Sequence, residues 1–337
     1  MIELDGSYGE GGGQILRTAL ALSTVTKQSF TIKNIRANRP QPGLKAQHLE
    51  TVRAFLTISN AKAEGATIGS TELSFKPGTI ENGEYDIRIG TAGSITLVLQ
   101  ALLPAIVHSK KEVLLRLRGG TDVKWSPSWD YTTNVLFPIL HDVAEIKGTL
   151  RQRGYYPKGD GLATVEVKAV ENPKQFMLTK RGKLKAIRAI THANSNLRVR
   201  SVSERIASAF TALQPHAVTE AQYSIAASIG AGITAWVEFQ NCVLGVDELG
   251  DIRTHSEVVG ERAAKALIKE IEHGAPVDTH MADQMIPWIA LFGGEMKIPE
   301  LTKHAESNIY VVEMFMKGRV KQEKLMISCQ GTGLKRI

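Results

Sequence analysis

Three times in this chain, a loop of small residues leads into a short apolar pattern that is typical of a helix. The junctions lie at 11–16, 90–95 and 282–287. Their irregular spacing excludes a solenoid, whose repeats recur at a fixed period. The pattern indicates a duplicated supersecondary unit, although loop-to-helix junctions of this kind also recur in any α/β protein.

Strand and helix patterns alternate along most of the chain. Alternating, β-branched segments predict strands at 29–35, 85–89, 112–118 and 162–170. Apolar residues at helical spacing predict helices that begin near Gln14 and that cover 44–58 and 95–107. Such alternation favours a mixed α/β fold.

The composition changes between about 180 and 274. A polar run at 179–183 precedes strand patterns at 184–191, 233–239 and 242–246 and helical patterns at 198–213 and 258–271. Gly274 and Pro276 supply a helix stop. We therefore predict a large domain made of 1–180 and 275–337, with a smaller α/β domain, 181–274, inserted into it.

The overall composition is that of an ordinary globular protein. The 337 residues are 43% hydrophobic and carry 41 Lys+Arg against 34 Asp+Glu, a net charge of +7. Disordered and fibrous classes are therefore excluded, and the positive excess hints at a polyanionic partner. The chain has no run of about 20 apolar residues and no signal-like start, and Cys242 and Cys329 lack metal-site spacing. We expect a cytoplasmic protein without a membrane partner.

The segment Gly6 to Arg17 is rich in glycine and ends at a predicted helix. Glycines allow a backbone to approach a ligand closely, and the N–H groups at a helix start attract anions. The segment lacks the Gly-Lys-Ser/Thr ending of a P-loop, and an ordinary tight turn is the alternative. Glu10 and Arg17 favour a binding role, because a carboxylate can hold a divalent cation and a guanidinium can hold phosphate.

Two further loops have a composition suited to a nucleotide or phosphate. Arg36 and Arg39 stand in a frame stiffened by Pro40 and Pro42, which suits recognition of phosphate oxygens, although solvated surface arginines are the alternative. The loop 119–131 contains two tryptophans and Pro127. Such rings can stack on a nucleobase, but tryptophans in a loop are more often packing residues.

The last cluster comprises 278–284 and 301–309. His304 stands just ahead of an apolar helical pattern, where an imidazole can act as base, ligand or nucleophile. Taken alone, it is one candidate among nine histidines.

Together these blocks resemble the RNA 3'-terminal phosphate cyclase family. The segments 6–17, 36–48, 93–104, 119–122, 282–284 and 304–312 follow the order and spacing of that family's catalytic branch. The resemblance implies ATP-dependent conversion of an RNA 3'-phosphate end into a 2',3'-cyclic phosphate. It implies a histidine–AMP intermediate, then an RNA-adenylate, with release of pyrophosphate and AMP. The implied partners are ATP, an RNA with a 3'-phosphate end and Mg or Mn, and a homo-oligomer is compatible with the sequence.

The resemblance also assigns roles to individual positions. It implies His304 as the nucleophile and Glu10 as the ligand of the divalent cation. It implies that phosphates of ATP or of the RNA end are bound by Arg17, Arg36 and Arg39, with Gln47 and Gln100 as neutral donors. It implies that the nucleotide site is completed by Pro127 and His280 on the two adenine faces and by Asp283 and Gln284.

The implied fold has a large domain of three repeated units, written ββαβαβ, and an inserted domain similar to thioredoxin in topology. Two departures from the family pattern occur. His280 replaces an expected tyrosine, and Asp160 replaces a glycine in the turn at 153–161, which we expect to persist because Asp tolerates turn conformations. Two alternative functions are a non-catalytic, cyclase-like ribosome-assembly protein and an enolpyruvyl transferase. The presence of His304, Glu10, Arg17 and Arg36 argues against the first.

Overall fold

The computed structural model describes residues 1–9, 11–90 and 92–331. The first unit runs in the order β1 (Ile2–Asp5), α1 (Gly13–Thr26), β2 (Phe30–Lys33), α2 (Ala46–Ser59), β3 (Lys62–Glu64) and β4 (Leu73–Lys76). Its four-stranded sheet has the order β1-β2-β4-β3. The pair β1 and β2 is parallel, whereas β4 runs antiparallel to both of its neighbours.

The second unit repeats this topology. It contains β5 (Gly83–Arg88), α3 (Ile95–Ser109), β6 (Val113–Gly119), a helical segment at 129–142 called α4, β7 (Ala144–Gln152) and β8 (Gly161–Ala169). The sheet order is β5-β6-β8-β7, again with a parallel first pair. Ser94 starts α3 because its hydroxyl accepts a hydrogen bond from the Leu97 N–H at 3.1 Å. The substituted turn persists, with Asp160 in the left-handed region at φ 61.

The third unit begins with β9 (Phe176–Leu178) and is then interrupted. The intervening segment contains β10 (Leu184–Asn194), α5 (Val202–Leu213), β11 (Val218–Ser224), β12 (Ala231–Phe239), β13 (Val243–Leu249) and α6 (Ser256–Glu272). Its sheet has a different order, β11-β10-β12-β13. Residues of this segment alone form a second hydrophobic cluster, which includes Ile206, Phe210 and Leu267.

After the interruption, the third unit resumes with α7 (Thr279–Gln284), α8 (Ile286–Phe292), β14 (Gly294–Lys297), α9 (Lys303–Phe315), β15 (Val320–Glu323) and β16 (Met326–Cys329). The sheet order β15-β16-β14-β9 matches the first two units. The predicted mixed α/β class is therefore confirmed. The order within each unit is β-α-β-α-β-β rather than ββαβαβ, because the antiparallel hairpin follows the helices instead of preceding them.

The helices of the three units pack together between their sheets. Helix α1 lies against both α3 and α9, and one continuous cluster of buried apolar side chains spans all three units. Burial of so much apolar surface is the main source of stability for such a domain. The packing also brings the N-terminal end of α9 beside the start of α1, which positions the candidate site.

The close contact between α5 and α6 generates a prediction about stability. A Cβ atom on Gly260 of α6 would lie 2.2 Å from the Ile206 carbonyl oxygen of α5. We expect Gly260→Ala to force the helices apart and to lower the free energy of unfolding by about 1–3 kcal/mol. Urea unfolding followed by circular dichroism measures the loss.

The exposed neighbour on the same helix is the matched control. Glu261→Ala should change the free energy of unfolding by less than about 0.5 kcal/mol. Equal effects of the two substitutions would contradict the proposed contact between the helices.

Candidate active site

The glycine-rich loop lies against the first turns of α9. Thr302 caps this helix, since its hydroxyl accepts a hydrogen bond from the Ala305 N–H at 3.0 Å. Gly9 has φ 60, and a Cβ atom there would lie 2.8 Å from the Ser307 hydroxyl oxygen. His304 therefore stands in the first turn of α9, directly beside the loop.

Four functional side chains converge on the backbone of Gly12 and Gly13. A Cβ atom on Gly12 would lie 3.7 Å from both the Arg39 Nη2 and the His304 Cε1 atoms. A Cβ atom on Gly13 would lie 2.2 Å from the His48 Nε2 and 3.1 Å from the Arg17 Nη1 atoms. The absence of side chains at these two glycines is what allows the four groups to approach one another.

The arginines of this group are partly buried and so partly shielded from water. Burial lowers the pKa of Arg17 to about 10, against the attraction of Asp283, so the guanidinium stays charged at neutral pH. Burial, and then the neighbouring charge of Arg39, also lowers the pKa of Arg36. Such a cluster of partly desolvated guanidinium groups is poised to bind an anion.

His48 is held in one neutral form. Burial, followed by the charges of Arg17, Arg36 and Lys45, lowers its pKa to about 3. Its Nδ1 atom accepts a hydrogen bond from the Lys45 N–H at 3.1 Å. The ring hydrogen therefore lies on Nε2, which faces Gly13, and the imidazole is a neutral donor at this point.

The frame around Arg36 is rigid, as the prolines predict. The Arg36 residue has φ 55, and its Nη1 donates to the carbonyl oxygens of Gln41 at 2.7 Å and Gly43 at 3.2 Å. These bonds fix the side chain within its own loop. The positive charge of Arg36 still acts on Arg39 and His48, because Arg36 lies close to both residues.

Gln47 joins two loops of the site. Its Nε2 donates to the Ser94 carbonyl oxygen at 3.0 Å, and its Oε1 accepts from the Ser94 N–H at 2.6 Å. Both ends of the amide are therefore engaged by the residue that caps α3. In the described structure, Gln47 holds the loop before α3 next to α2.

A second part of the site is a pocket between the three units. Gln14, Arg17, Gln100, Gln284 and Trp288 are among its lining residues. The Gln100 Nε2 donates to the Gln284 Oε1 at 2.6 Å, and the Arg17 Nη2 donates to the Gln14 Oε1 at 2.8 Å. Arg17 therefore belongs both to this pocket and to the group around Gly13.

Asn308 fixes the helices that carry these residues. This side chain is fully buried in α9 and accepts a hydrogen bond from the Thr18 hydroxyl at 2.6 Å, from a residue 290 positions away. Its own amide donates to the Asp283 carbonyl oxygen at 2.7 Å. One amide thus ties α1 and α7 to the helix of His304.

Pro127 and His280, the two residues expected beside adenine, both lie near one residue of the inserted segment. Asp247 of β13 accepts a hydrogen bond from the Ser128 N–H at 2.8 Å, next to Pro127. Burial raises the pKa of Asp247 to about 6, and a nearby His280 opposes the rise. Pro127 and His280 therefore both lie near Asp247.

The described residues contain one cluster with metal-ligating atoms close together, and none of its members is among the predicted site residues. Asp122, Asp130 and His192 are buried with their ligand atoms within 4.8 Å of one another. Arg153 donates to Asp122 at 3.2 Å and to Asp130 at 2.7 Å. Burial and the charge of Arg153 lower the pKa of His192 to about 3. A guanidinium is therefore already paired with both carboxylates, and the cluster joins the inserted segment to the second unit.

Glu10, the predicted metal ligand, lies outside the described residues. Of the other predicted residues, the structure brings His304, Arg17 and Arg39 together at Gly12 and Gly13, with Arg36 in the adjacent loop. Gln100 and Gln284 line the pocket, and Asp283 lies near Arg17. Pro127 and His280 lie near Asp247, and Gln47 bonds the loop before α3. Sequence reasoning missed His48, Asn308 and Asp247. His48, adjacent to Gln47, and Asn308, within the segment 301–309, lay in segments already singled out, whereas Asp247 carried no such signal.

The fold and this site together define an α/β protein with a partly buried cluster of cationic side chains, an arrangement suited to phosphate-containing anions. A sequence model of the family described as RNA 3'-terminal phosphate cyclase matches residues 8–322. A protein of that name from Pyrococcus furiosus is 44% identical over 329 residues, covering 96% of this chain and 95% of the relative. One from Methanosarcina barkeri is 43% identical over 326 residues, covering 96% and 97%.

These similarities extend through the whole of the fold. A relative of the same name from Saccharolobus islandicus is 44% identical over 322 residues, 94% of each chain. The chain belongs to the RNA 3'-terminal phosphate cyclase family, and it is an enzyme. Among the described residues, no helix has both the length and the apolar character needed to cross a membrane.

The buried carboxyl of Asp283 generates a prediction about pH. Burial raises its pKa to about 7, with His280 and Arg17 opposing the rise. The folded protein therefore holds a proton that the unfolded chain releases near pH 4, and the associated stability is lost progressively between about pH 4 and pH 7. We expect the stability advantage of Asp283→Asn over the wild type to grow by about 3 kcal/mol between pH 5 and pH 8.

Urea unfolding at both pH values measures this growth. The control, Asp86→Asn, removes an exposed carboxylate and should give nearly the same small difference at both pH values. An advantage of Asp283→Asn that stays constant or shrinks with pH would show that Asp283 is ionised throughout this range.

Proposed function

We propose that this enzyme uses ATP to convert the 3'-phosphate end of an RNA into a 2',3'-cyclic phosphate. The observation that carries the proposal is the convergence of His304, Arg39, His48 and Arg17 on Gly12 and Gly13. A nucleophile beside several phosphate-binding cations is the arrangement that transfer of a nucleotidyl group requires. The names of the curated relatives support the same substrate and reaction.

ATP is proposed to lie across the two parts of the site. Pro127 and His280 would pack on the adenine faces. Gln100 and Gln284, which line the pocket, would contact the nucleotide together with Asp283, which lies near Arg17. Arg17 reaches from this pocket to Gly13, so its guanidinium is placed to bind the phosphates near His304. The N-terminal end of α9 adds a partial positive charge that attracts the same phosphates.

The proposed reaction has three balanced steps. The imidazole of His304 attacks the α-phosphorus of ATP, a P–N bond forms, and the P–O bond to the leaving pyrophosphate breaks. An oxygen of the RNA 3'-phosphate then attacks that phosphorus, which breaks the P–N bond and gives an RNA-adenylate. Finally, the neighbouring 2'-OH loses its proton and attacks the 3'-phosphorus, and AMP leaves.

The chain's residues have distinct tasks in this scheme. Arg36 and Arg39 would hold the RNA phosphate beside His304, and their charges stabilise the charge that develops on phosphorus in each step. His48 would supply a neutral donor at the same point. Gln47, whose amide bonds the Ser94 backbone, would act with them by fixing the loop before α3.

A divalent cation, Mg or Mn, is proposed to bind at Glu10, because the arginines and N–H donors of the site would not ligate it. Such a cation is usually bound by one or two carboxylates together with the substrate's phosphates, and Glu10 is the carboxylate that the sequence places in the loop. When bound, the cation would neutralise phosphate charge. The arginines and neutral hydrogen-bond donors described above would orient the nucleotide and the RNA end.

We further propose that the chain has the two domains predicted from its sequence, 1–180 with 275–337, and the insert 181–274. The separate hydrophobic cluster of the insert supports this division. Asp247 and the Arg153 cluster would fix the insert against the nucleotide pocket. The non-catalytic alternative gains no support from a site in which His304 meets Arg17 and Arg39.

The proposed intermediate is tested with ATP labelled at the α-phosphate. Incubation of the wild type with this ATP and Mg should give an acid-labile, alkali-stable protein–AMP adduct. His304→Ala should abolish the adduct and reduce cyclisation by at least about 10³-fold, because a covalent route loses its nucleophile.

The exposed His216 provides the matched control. His216→Ala should form the adduct at the wild-type rate. No adduct in the wild type, or an equal amount in His304→Ala, would disprove the covalent mechanism.

A further inference from the structure

The outer face of the second sheet carries a concentrated group of arginines. Helix α3 packs on the opposite face, against β6 and β8, so the outward side chains of the strands are exposed. Arg88 of β5, Arg116 and Arg118 of β6, and Arg151 of β7 line one concavity together with one acid, Asp86 of β5, and with Leu162 of β8. We call these four arginines the arginine face.

The charges on this sheet are distributed unequally along the strands. The arginine face occupies the half of the sheet toward Gly119, where β8 begins and β7 ends. The opposite half contains both signs, with exposed side chains of Glu112, Glu145, Lys147, Glu166 and Lys168. The concentration of positive charge is therefore local and does not extend over the sheet.

Part of this charge has no counter-charge in the protein. Arg116 is paired with Glu84, and Arg118 is paired with Asp160 at 2.5 Å. Neither Arg88 nor Arg151 makes an ion pair with any described residue. Asp86 also lines the concavity, opposite Arg116 in the pairing of β5 with β6, so the excess of positive charge rests on Arg88 and Arg151. This excess creates a positive potential suited to an anionic chain.

Strand β7 is irregular at Arg151. The pairing of β7 with β8 shifts register between Leu150 and Gln152. Arg151 is therefore the extra residue of a β-bulge, a feature that often re-aims a side chain. Here the Arg151 side chain lies in the concavity that also contains Arg88 and Arg118.

The arginine face is continuous with the loop that Gln47 holds. The Gly120 N–H, two residues after Arg118, donates to the Gly93 carbonyl oxygen at 2.7 Å. Ser94, the next residue, is bonded by Gln47, and His48 follows in the group around Gly13. At about 3.3 Å per strand residue, the arginines begin within roughly 10 Å of this loop.

We propose that the arginine face binds the phosphodiester backbone of the RNA segment that precedes the 3'-phosphate end. This inference rests on the proposed function, since it takes the RNA end to lie beside His304. Arginine forks match phosphate oxygens, and such contacts position a strand without reading its sequence. Leu162 provides an apolar surface against which a base can pack.

The test compares two variants in which a basic residue on the same face of β7 is replaced by glutamate. Arg151→Glu lies in the arginine face, whereas Lys147→Glu, the control, lies four residues away in the mixed half. Binding is measured for a 20-nucleotide RNA and for a dinucleotide, each with a 3'-phosphate, over a range of salt concentrations. The dinucleotide should not reach Arg151, because β7 lies two strands, about 10 Å, beyond the β6 strand that leads to the site.

We expect Arg151→Glu to weaken binding of the 20-nucleotide RNA on the order of tenfold and to reduce its salt dependence by about one phosphate contact. Lys147→Glu should change this affinity by less than about twofold, and neither variant should affect the dinucleotide. Equal weakening by both substitutions, or equal loss for both RNAs, would overturn the proposal. Thermal unfolding verifies that both variants fold.

Two further measurements separate the alternatives. Adduct formation from ATP alone tests the proposed function independently of the arginine face, so a wild type that binds RNA through Arg151 but forms no adduct refutes only the mechanism. Vesicles of phosphatidylserine and phosphatidylcholine test a lipid partner. If Arg151→Glu abolished vesicle binding and left RNA binding unchanged, the occupant would be a lipid surface and the proposal would be wrong.

Discussion

The close approach of side chains to the backbone at Gly12 and Gly13 is the contact on which the candidate site depends. Groups from four separate parts of the chain meet there: α1, the proline-rich loop, α2 and α9. Any Cβ atom at Gly13 would overlap the His48 ring, so the arrangement needs glycine for steric reasons. The buried amide of Asn308 maintains it, because that one side chain bonds residues of both α1 and α7.

The inserted segment contributes to the site although its sequence carried no catalytic signal. Asp247 bonds the backbone beside Pro127, and the Arg153 cluster fixes a second contact between the segment and the second unit. Both contacts bury charged groups, which is costly unless those groups are paired or hydrogen-bonded. Such pairing specifies one relative position of the two units, since a displaced insert would leave the charges unsatisfied.

Strongly patterned elements could be predicted from the sequence, whereas short polar strands could not. Apolar spacing predicted a helix at 95–107, and α3 runs Ile95–Ser109. Strand β3, with exposed Lys62 and Glu64, has no such alternation and forms because β4 pairs with it. The order of strands within each unit was likewise wrong in the prediction, because the position of the hairpin depends on pairing partners far along the chain.

The sequence by itself determined the mixed α/β class, the family and a set of candidate positions, because these depend on residue types at fixed spacing. Tertiary structure alone decided which candidates share a location. It joined Gln47 to Ser94, added Asp247 and Asn308, and placed Arg88, Arg118 and Arg151 in one concavity. The physical reason is that contacts between distant segments arise from helix packing and strand register, which bring together residues that local sequence patterns do not relate.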